Sequence, residues 1–430
     1  MRKLLPARAF GPSIAPSAVS REMPGTSDVD ELDNPVRVNR ATTRDRRLSF
    51  WFVGALVLAL LAGPRCALGG PVTLASYNLY LGADLGPIIS APTPPEFLAA
   101  VGATFGNVVA TDFNARANAI ADQIAATKPH FIGLQEVVTW QTGPPVDFGQ
   151  SPPPATNVAF DYLQILSNAL SARGLSYAPI AQVQNLDIQV PGAVSSSQLA
   201  NFRLTDSDVL LAMTSLPGGM TYANTQGQNF VTALPVPLPD GTTLLVPRGW
   251  TAADVTVDGK TFRLVNTHLE AFFELVQLGQ ALELLGGPGN TALPQVFIGD
   301  FNSDAAPPAD PPGATYAALL GAGFADAGLL GGIGGVPTCC QDADLMNEFS
   351  ELLTRIDLAL FRGEFQVLFA DVIGEAQEDR IASDGLWPSD HAGIVVTLSV
   401  VAEPSIVVLL VSGLGLLVLI GARGRRRAAA

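Results

Sequence analysis

One short stretch, Gln295-Val296-Phe297-Ile298-Gly299-Asp300-Phe301-Asn302-Ser303, joins a strand-forming run to a polar cluster. Its first half is a β-branched and aromatic run that predicts a strand. A glycine and two polar side chains, Asp300 and Asn302, follow directly. Because the end of a strand is a rigid position beside loops, we expect Asp300 and Asn302 to project into a crevice at one edge of a sheet.

The same arrangement, an apolar run beside a polar cluster, occurs at five more places. These clusters are Ser76-Tyr77-Asn78, Gln135-Glu136, Asn266-Thr267-His268, Arg355-Ile356-Asp357 and Ser389-Asp390-His391. Any one alone is more typical of a hydrogen-bonded strand end than of a functional site. Six together predict one site, in which carboxylate and amide oxygens suit Mg²⁺ or Mn²⁺ and two imidazoles serve as donors or as a base. This mixture suits attack of water on phosphorus, whereas zinc would require clustered thiolates and histidines.

Short apolar runs separated by loops predict an α/β chain. The predicted strands are Val72–Tyr80, Phe131–Gln135, Val209–Ala212, Thr243–Val246, Thr251–Val257, Thr261–Thr267, Gln295–Ile298, Asp357–Phe361 and Gly393–Val400. The predicted helices are Asn114–Ala126, Phe160–Arg173, Phe272–Leu285 and Thr315–Gly321. Pro- and Gly-rich stretches at Ala91–Glu96, Gly143–Pro154 and Ala305–Gly313 are predicted to be surface loops. We therefore predict one layered domain at 71–402, although 430 residues alone suggest about three domains.

The six clusters, in this order, resemble the endonuclease/exonuclease/phosphatase superfamily. That superfamily includes pancreatic-type deoxyribonucleases, abasic-site endonucleases, bacterial neutral sphingomyelinases and inositol phosphatases. The resemblance runs from about Leu74 to Ser399. It implies an α/β (α+β) fold, namely a four-layer αββα sandwich of two mixed sheets covered by helices, with the site at one edge.

The resemblance implies a metal-dependent phosphoric ester hydrolase that uses Mg²⁺, with Mn²⁺ and Ca²⁺ as alternative ions. Carried over residue by residue, it assigns Glu136 as the principal metal ligand, with Asn78 and Asp390 near the metal. Asp300 would orient or deprotonate the attacking water. Asn302 would hold both Asp300 and a phosphate oxygen.

The three histidines of the chain differ in what the resemblance implies for them. His391, oriented by Asp357, would donate to a phosphate oxygen or act as the general base. His268 would contact the phosphate or protonate the leaving group. His130 belongs to none of the six clusters, and we interpret it as a surface or capping residue.

Charge bears on the choice of substrate. Residues 71–402 contain ten basic and thirty-two acidic residues, a net charge of −22 within a chain of net charge −15. This acidity disfavours a broad basic surface along nucleic acid. Arg116 and Arg203 stand alone in the sequence and are more typical of surface ion pairs than of phosphate ligands. Phosphodiester cleavage is preferred, with nucleic acid and a lipid headgroup both open as substrates.

A second hypothesis treats the domain as a non-catalytic binding module of the envelope or matrix on the same scaffold. It would be favoured if Glu136, Asp300 and Asp390 pointed to separate surfaces. The adjacent Cys339 and Cys340 form either a small disulfide ring or two free thiols.

Both ends carry apolar segments that predict export. Three arginines precede Phe50–Ala62, which has the length of a signal-peptide core, and small residues follow. Near the other end, Glu403-Pro404-Ser405, the apolar run Ile406–Ile420 and an arginine cluster resemble a PEP-CTERM sorting signal of Gram-negative bacteria. A membrane anchor is the alternative for each segment.

We therefore divide the chain into a leader with its signal or membrane segment at 1–70, the catalytic domain at 71–402 and the sorting signal or anchor at 403–430. The expected location is the cell envelope, either membrane-anchored or released after processing. The expected partners are a phosphate-ester substrate, the envelope sorting machinery and the membrane, and we expect a monomer.

Overall fold

The structure contains the predicted strands and helices together with several elements that were not predicted, such as the helix Pro94–Ala110 and the strand Tyr177–Ala193. The structure, a computed structural model, describes residues 68–237, 243–305 and 312–401. All nine predicted strands and all four predicted helices are present, although several extend further than predicted. The predicted signal segment and the predicted sorting signal lie outside the described residues. None of the helices within the described ranges has the length and hydrophobicity that a membrane passage requires.

The first β-layer is a mixed sheet of nine strands. Its strands are β1 Leu68–Asn78, β2 Phe131–Gln135, β3 Thr139–Thr142, β4 Val146–Asp147, β5 Asn157–Asp161, β6 Tyr177–Ala193, β7 Gln198–Met213, β16 Phe365–Ile373 and β17 Gly393–Val401. Their order is β16-β17-β1-β2-β7-β3-β5, and β4 and β6 also pair with β7. The parallel pair β1 and β2 places the ends of both strands at one edge, with Asn78 opposite Gln135.

The second β-layer is a mixed sheet of six strands in the order β14-β15-β13-β12-β11-β8. These strands are β8 Met220–Asn229, β11 Gly249–Val257, β12 Lys260–His268, β13 Gln295–Asp300, β14 Ala325–Asp326 and β15 Asp357–Arg362. A separate two-stranded ribbon consists of β9 Leu234–Pro237 and β10 Thr243–Val246. We call it the β9–β10 ribbon.

Helices cover the outer face of each sheet. They are α1 Gly86–Ile89, α2 Pro94–Ala110, α3 Phe113–Thr127, α4 Tyr162–Ala172, α5 Glu274–Gly286, α6 Ala314–Gly321 and α7 Ala327–Leu330. Ile120 of α3 and Leu166 of α4 pack on the first sheet, and Leu284 of α5 packs on the second. Between the sheets, side chains such as Leu74 and Phe262 form a third apolar core. The fold is therefore the expected four-layer αββα sandwich.

The two sheets approach each other closely near the site. Nε2 of Gln135 donates to Oδ1 of Asn266 at 2.5 Å, and both residues are fully buried. A side chain at Gly133 would collide with the same Asn266 amide. Burying polar groups is costly unless they are hydrogen-bonded, so this pair fixes how the sheets face each other.

One predicted surface loop is wrong in part. The stretch Ala91–Glu96 includes the first turn of α2, which begins at Pro94. Proline is well tolerated at the start of a helix because its missing N–H would have no partner there. The Thr93 side chain caps this end and accepts from the N–H of Glu96. The proline-rich composition thus marks a helix start rather than an extended loop.

Arg355 lies in a buried ion pair and takes no part in the site. Its Nη2 lies 2.6 Å from Oδ2 of Asp326, and each side chain is 1% exposed. Removing one partner leaves the other charge buried without compensation, which costs about 3–5 kcal/mol. We therefore expect Asp326→Ala to lower the free energy of unfolding by that amount in urea titrations.

Asp187→Ala is the matched control for this substitution. Asp187 pairs with Arg203 at the same 2.6 Å, but these side chains are 35% and 38% exposed. Exposed pairs contribute about 0–1 kcal/mol. Equal losses in Asp326→Ala and Asp187→Ala would contradict the structural role of the buried pair.

Candidate active site

Three of the predicted site residues form a row across the second sheet. The parallel register of β12 and β13 places His268 beside Asp300. The antiparallel register of β13 and β15 places Asp300 beside Asp357. Residues paired in register on neighbouring strands share a face, and each of these side chains is at most 2% exposed. Backbone pairing therefore brings the three together.

The Asp300 carboxylate lies at the centre of the site. Its Oδ1 accepts from the N–H of Asn302 at 2.9 Å, and its Oδ2 accepts from Nδ2 of Asn78 at 3.1 Å. Nε2 of His268 lies 3.4 Å from Oδ2, and Nε2 of His391 lies 3.8 Å from it. Burial raises the pKa of Asp300 to about 7, although His391 opposes the rise. Asp300 therefore links four of the other predicted site residues.

His391 is held by Asp357 on the side away from Asp300. Its Nδ1 lies 2.8 Å from Oδ2 of Asp357. Burial alone would lower the pKa of His391, but the carboxyl groups of Asp357, Asp390 and Asp300 raise it well above the usual value. An aspartate at one ring nitrogen fixes the orientation of the imidazole, so Nε2 faces the reacting region.

A second set of buried charges surrounds His268. Nη1 of Arg248 lies 3.3 Å from Nδ1 of His268, and Oδ1 of Asp208 lies 3.9 Å from it. Arg248 also lies 3.8 Å from Asp206. Burial, together with Arg248 and His391, lowers the pKa of His268 well below its usual value. The surroundings therefore shift the pKa values of the two imidazoles beside Asp300 in opposite directions.

Two site residues have unusual backbone conformations. Glu136, directly after β2, has φ 52°, and Asn302, directly after β13, has φ 50°. This left-handed region costs a non-glycine residue roughly 1–2 kcal/mol. Such conformations persist where surrounding contacts fix them, and they cluster at functional sites. Here Nδ2 of Asn302 donates to the carbonyl of Leu269 at 2.9 Å, and Oε2 of Glu136 accepts from the N–H of Leu81 at 2.7 Å.

Glu136 and Asp390 supply hard oxygen donors of the kind that a divalent cation requires. Both line the same cavity as Asp300. Burial raises the pKa of Glu136 and that of Asp390. Glu136 adds to the rise at Asp390, whose pKa is about 7. A cation beside Glu136 and Asp390 would offset the negative charge that raises the pKa of Asp390. The residues therefore fit a divalent metal.

The predicted metal ligand Asn78 has a more complex setting. Its Oδ1 accepts from the N–H of Tyr80 at 3.0 Å while its Nδ2 donates to Asp300. One lone pair of the amide oxygen is left for a metal. Among the described residues, the carboxylate and imidazole group that lies within 4.8 Å comprises Asp300, Asp357 and His391. The assignment of Asn78, Glu136 and Asp390 as ligands stays a prediction.

Arg116 supports the site from behind, and the surface ion pair expected for it is wrong. The residue is fully buried, because its guanidinium group donates to the carbonyls of Leu79, Tyr80 and Pro388 at 2.7–3.1 Å. These carbonyls belong to the loop after β1 and the loop before β17. Five fixed donors allow one arginine to join two loops.

Two features of the site were not predicted from the sequence, namely Arg116 and the charged set Asp206, Asp208 and Arg248. Asp206-Ser207-Asp208 directly precedes the predicted strand Val209–Ala212. These two acidic residues were the available signal for a buried charged group. Their position was misjudged because β7 begins earlier than predicted and includes them. Arg203, in contrast, forms the expected exposed pair with Asp187.

His130 lies where a capping residue is expected. Its Nδ1 accepts from the N–H of Thr73 at 2.9 Å, and it does not line the cavity of the site. Glu270 is buried and does line the cavity, where its Oε1 accepts from the N–H of Phe272. Cys339 and Cys340 are joined as a disulfide at the same cavity.

The site opens into one cavity of about 810 Å³. Glu136, His268, Asp300, Asp390 and His391 line it together. The hypothesis of a non-catalytic module would have been favoured if Glu136, Asp300 and Asp390 pointed to separate surfaces. Because they line one cavity, that support for the hypothesis is lost. Pockets of this size are typical of small-molecule sites.

The chain matches one protein-family model and is similar to several solved structures. The model of a family described as the endonuclease/exonuclease/phosphatase family matches residues 75–391. Among solved structures, the chain is similar to a member of that family from Bacteroides thetaiotaomicron, with 18% identity over 78% of this chain and 99% of that chain and a TM-score of 0.43. No match was found among curated protein sequences.

Two further solved structures are similar. Mannosyl-6-phosphatase from B. thetaiotaomicron is 18% identical over 76% of this chain and 99% of that chain, with a TM-score of 0.41. D. rerio TDP2 in complex with a single-strand DNA product is 15% identical over 76% and 99%, with a TM-score of 0.42. Since the family model covers well over half of the sequence, the chain belongs to the endonuclease/exonuclease/phosphatase family and is a metal-dependent phosphoric ester hydrolase.

Proposed function

We propose that the protein hydrolyses phosphodiester bonds in a Mg²⁺-dependent reaction. The observation that carries the proposal is the position of Asp300 between two imidazoles, with Nε2 of His268 at 3.4 Å and Nε2 of His391 at 3.8 Å. A carboxylate between two ring nitrogens can handle protons on both sides of a reacting phosphate.

Glu136 and Asp390, with Asn78 nearby, would hold the metal ion. When bound, Mg²⁺ would polarise a phosphoryl oxygen and neutralise the charge that develops on it. The Leu81 N–H fixes one oxygen of Glu136, and Arg116 fixes the loop that carries Leu81 through the carbonyls of Leu79 and Tyr80. These contacts would orient Glu136 as a metal ligand.

The proton-handling residues take separate roles in this proposal. Asp300 orients the attacking water and accepts its proton, and Asn302 keeps Asp300 in place through its backbone N–H. His391 is held by Asp357 and donates from Nε2 to a non-bridging phosphate oxygen. His268 contacts the phosphate on the opposite side of Asp300, near the leaving group.

We further propose that the enzyme works outside the cytoplasm. The apolar run Phe50–Ala62 and the Glu403-Pro404-Ser405 segment with its apolar and arginine-rich continuation support export and processing in a Gram-negative envelope. Release or retention at the membrane then depends on whether these segments are cleaved.

Metal removal tests the proposed reaction. The full-length protein is assayed on bis-p-nitrophenyl phosphate, DNA and sphingomyelin with Mg²⁺ and again with EDTA. We expect hydrolysis of at least one substrate with Mg²⁺ and a loss of at least about 10³-fold with EDTA, because the metal contributes several kcal/mol of charge stabilisation. Equal rates with Mg²⁺ and with EDTA would overturn the proposal.

A further inference from the structure

The cavity of the active site extends well beyond the groups that the reaction uses. Besides the polar residues, it is lined by apolar side chains from several elements of the fold. Phe97 and Val101 come from α2, Ile188 and Val190 from β6, and Phe202 and Leu204 from β7. We call this part, together with the β9–β10 ribbon that also lines it, the apolar branch.

Strand β7 leads from the reacting groups into the apolar branch. Asp206, Leu204 and Phe202 occupy alternate positions on this strand, so they share one face. Their partners on β6 are Leu186, Ile188 and Val190. At about 3.4 Å per residue, the floor of the cavity runs about 14 Å from Asp206 to Phe202. The surface changes along this path from charged to apolar.

The β9–β10 ribbon forms a wall of the apolar branch. Leu234 pairs with Val246, and Val236 pairs with Leu244. All four side chains line the cavity, whereas Leu245, between two of them, is 60% exposed. A two-stranded ribbon is marginal by itself and belongs to neither main sheet. Its apolar face is therefore directed at the cavity rather than at another sheet.

We propose that the substrate is an amphiphilic phosphate ester whose hydrocarbon chain occupies the apolar branch while its phosphate lies beside Asp300. This inference deepens the proposed phosphodiester hydrolysis and rests on it. Apolar walls of this depth favour burial of an alkyl or acyl chain, since each buried methylene is stabilising. A polynucleotide would instead require cationic contacts along its backbone, which the net charge of −22 over residues 71–402 disfavours.

A series of p-nitrophenyl alkyl phosphodiesters tests the inference with the full-length protein. Water attacks phosphorus, the bond from phosphorus to the nitrophenyl oxygen breaks, and the products are an alkyl phosphate monoester and p-nitrophenol. With methyl, butyl and octyl esters below their micelle concentrations, we expect KM to fall by up to about fourfold per added methylene, which corresponds to ~0.8 kcal/mol. A KM that does not change with chain length would overturn the inference.

Two bulky substitutions localise the effect to the apolar branch. Ile188→Trp, on β6, and Val246→Trp, on the ribbon, each place a ring in the cavity. We expect both to bring the ratio of the methyl KM to the octyl KM close to one. Val158→Trp is the control, because Val158 is 58% exposed on β5 and does not line the cavity. If both cavity variants fold and keep the wild-type ratio of the methyl KM to the octyl KM, the hydrocarbon chain of the substrate does not bind in the apolar branch.

A binding measurement separates this inference from the proposed reaction. Trp140 lines the cavity, whereas Trp250 and Trp387 do not. Dibromo-octyl phosphate added to the protein in EDTA should quench tryptophan fluorescence, and Trp140→Phe should remove most of that quenching. Quenching without hydrolysis of any ester would retain the cavity and reject the reaction. Hydrolysis of the methyl ester without quenching, and with a KM that does not depend on the length of the alkyl chain, would retain the reaction and reject the apolar branch as a binding site.

Discussion

Glu136→Gln is expected to lower kcat by about three orders of magnitude or more while the protein stays folded. The substitution removes the negative charge of the proposed principal metal ligand, and a bound metal contributes several kcal/mol to the transition state. The amide oxygen of glutamine can still accept from the N–H of Leu81, as Oε2 of Glu136 does at 2.7 Å. We therefore expect an unchanged circular dichroism spectrum and a loss of the thermal shift that Mg²⁺ causes.

Glu283→Gln provides the matched control. Oε2 of Glu283 also accepts from a backbone N–H at 2.7 Å, that of Val231, but the residue does not line the active-site cavity. The control should keep both kcat and the Mg²⁺-dependent thermal shift. If Glu136→Gln retained wild-type values of both, Glu136 would not be a metal ligand.

Asp300→Asn should lower kcat by about 10²–10⁴-fold, the range that a positioned acid or base contributes. Asparagine keeps the shape of the side chain and an oxygen for the N–H of Asn302. It cannot accept a proton from water, and its own NH₂ group would lose the hydrogen bond from Asn78. A variant with wild-type kcat would show that Asp300 does not handle the proton.

The same substitution should also change how the stability of the protein depends on pH. In the metal-free protein the pKa of Asp300 is about 7, above its ordinary value of 3.8. Between these values the folded protein holds a proton that the unfolded chain releases, so stability falls as pH rises through this window.

Asparagine has no such proton. The melting temperature of Asp300→Asn relative to wild type should therefore rise from about pH 4 to pH 7 and stay constant above it. Differential scanning calorimetry in EDTA measures this difference. Asp122→Asn, at a side chain that is 71% exposed, is the control and should show little change. A relative melting temperature for Asp300→Asn that fell over this range would contradict the high pKa.

The layered fold could be predicted because its strands are short, apolar and separated by clear turn signals. The run before Asp300 and the run before His268 both read as buried strands, and both are central in the second sheet. The long strand β6 was missed, because Pro179 and Pro191 interrupt its pattern and many of its side chains are exposed. Proline argues against a central strand, but among the described residues β6 pairs with β7 alone and is therefore an edge strand.

The reacting groups could be predicted from their position at strand ends, but their surroundings could not. His391 lies beside Asp357, 34 positions earlier in the sequence, only because the chain between them returns to the same edge. Arg248, directly before β11, and Asp208, inside β7, approach His268 from positions that the predicted strands do not mark as part of the site. The apolar branch could not be predicted either. In the sequence Leu204 and Val236 cannot be distinguished from core residues, and only the folded structure shows that they line a cavity.

The row formed by His268, Asp300 and Asp357 has a consequence for how such a protein can diversify. Main-chain pairing aligns these residues, so their alignment does not depend on α2 or on the β9–β10 ribbon. Descendants of such a protein can lose, lengthen or exchange those covering segments while they inherit the chemistry unchanged. Selection can thus act on the choice of substrate and on the reaction through separate parts of the gene.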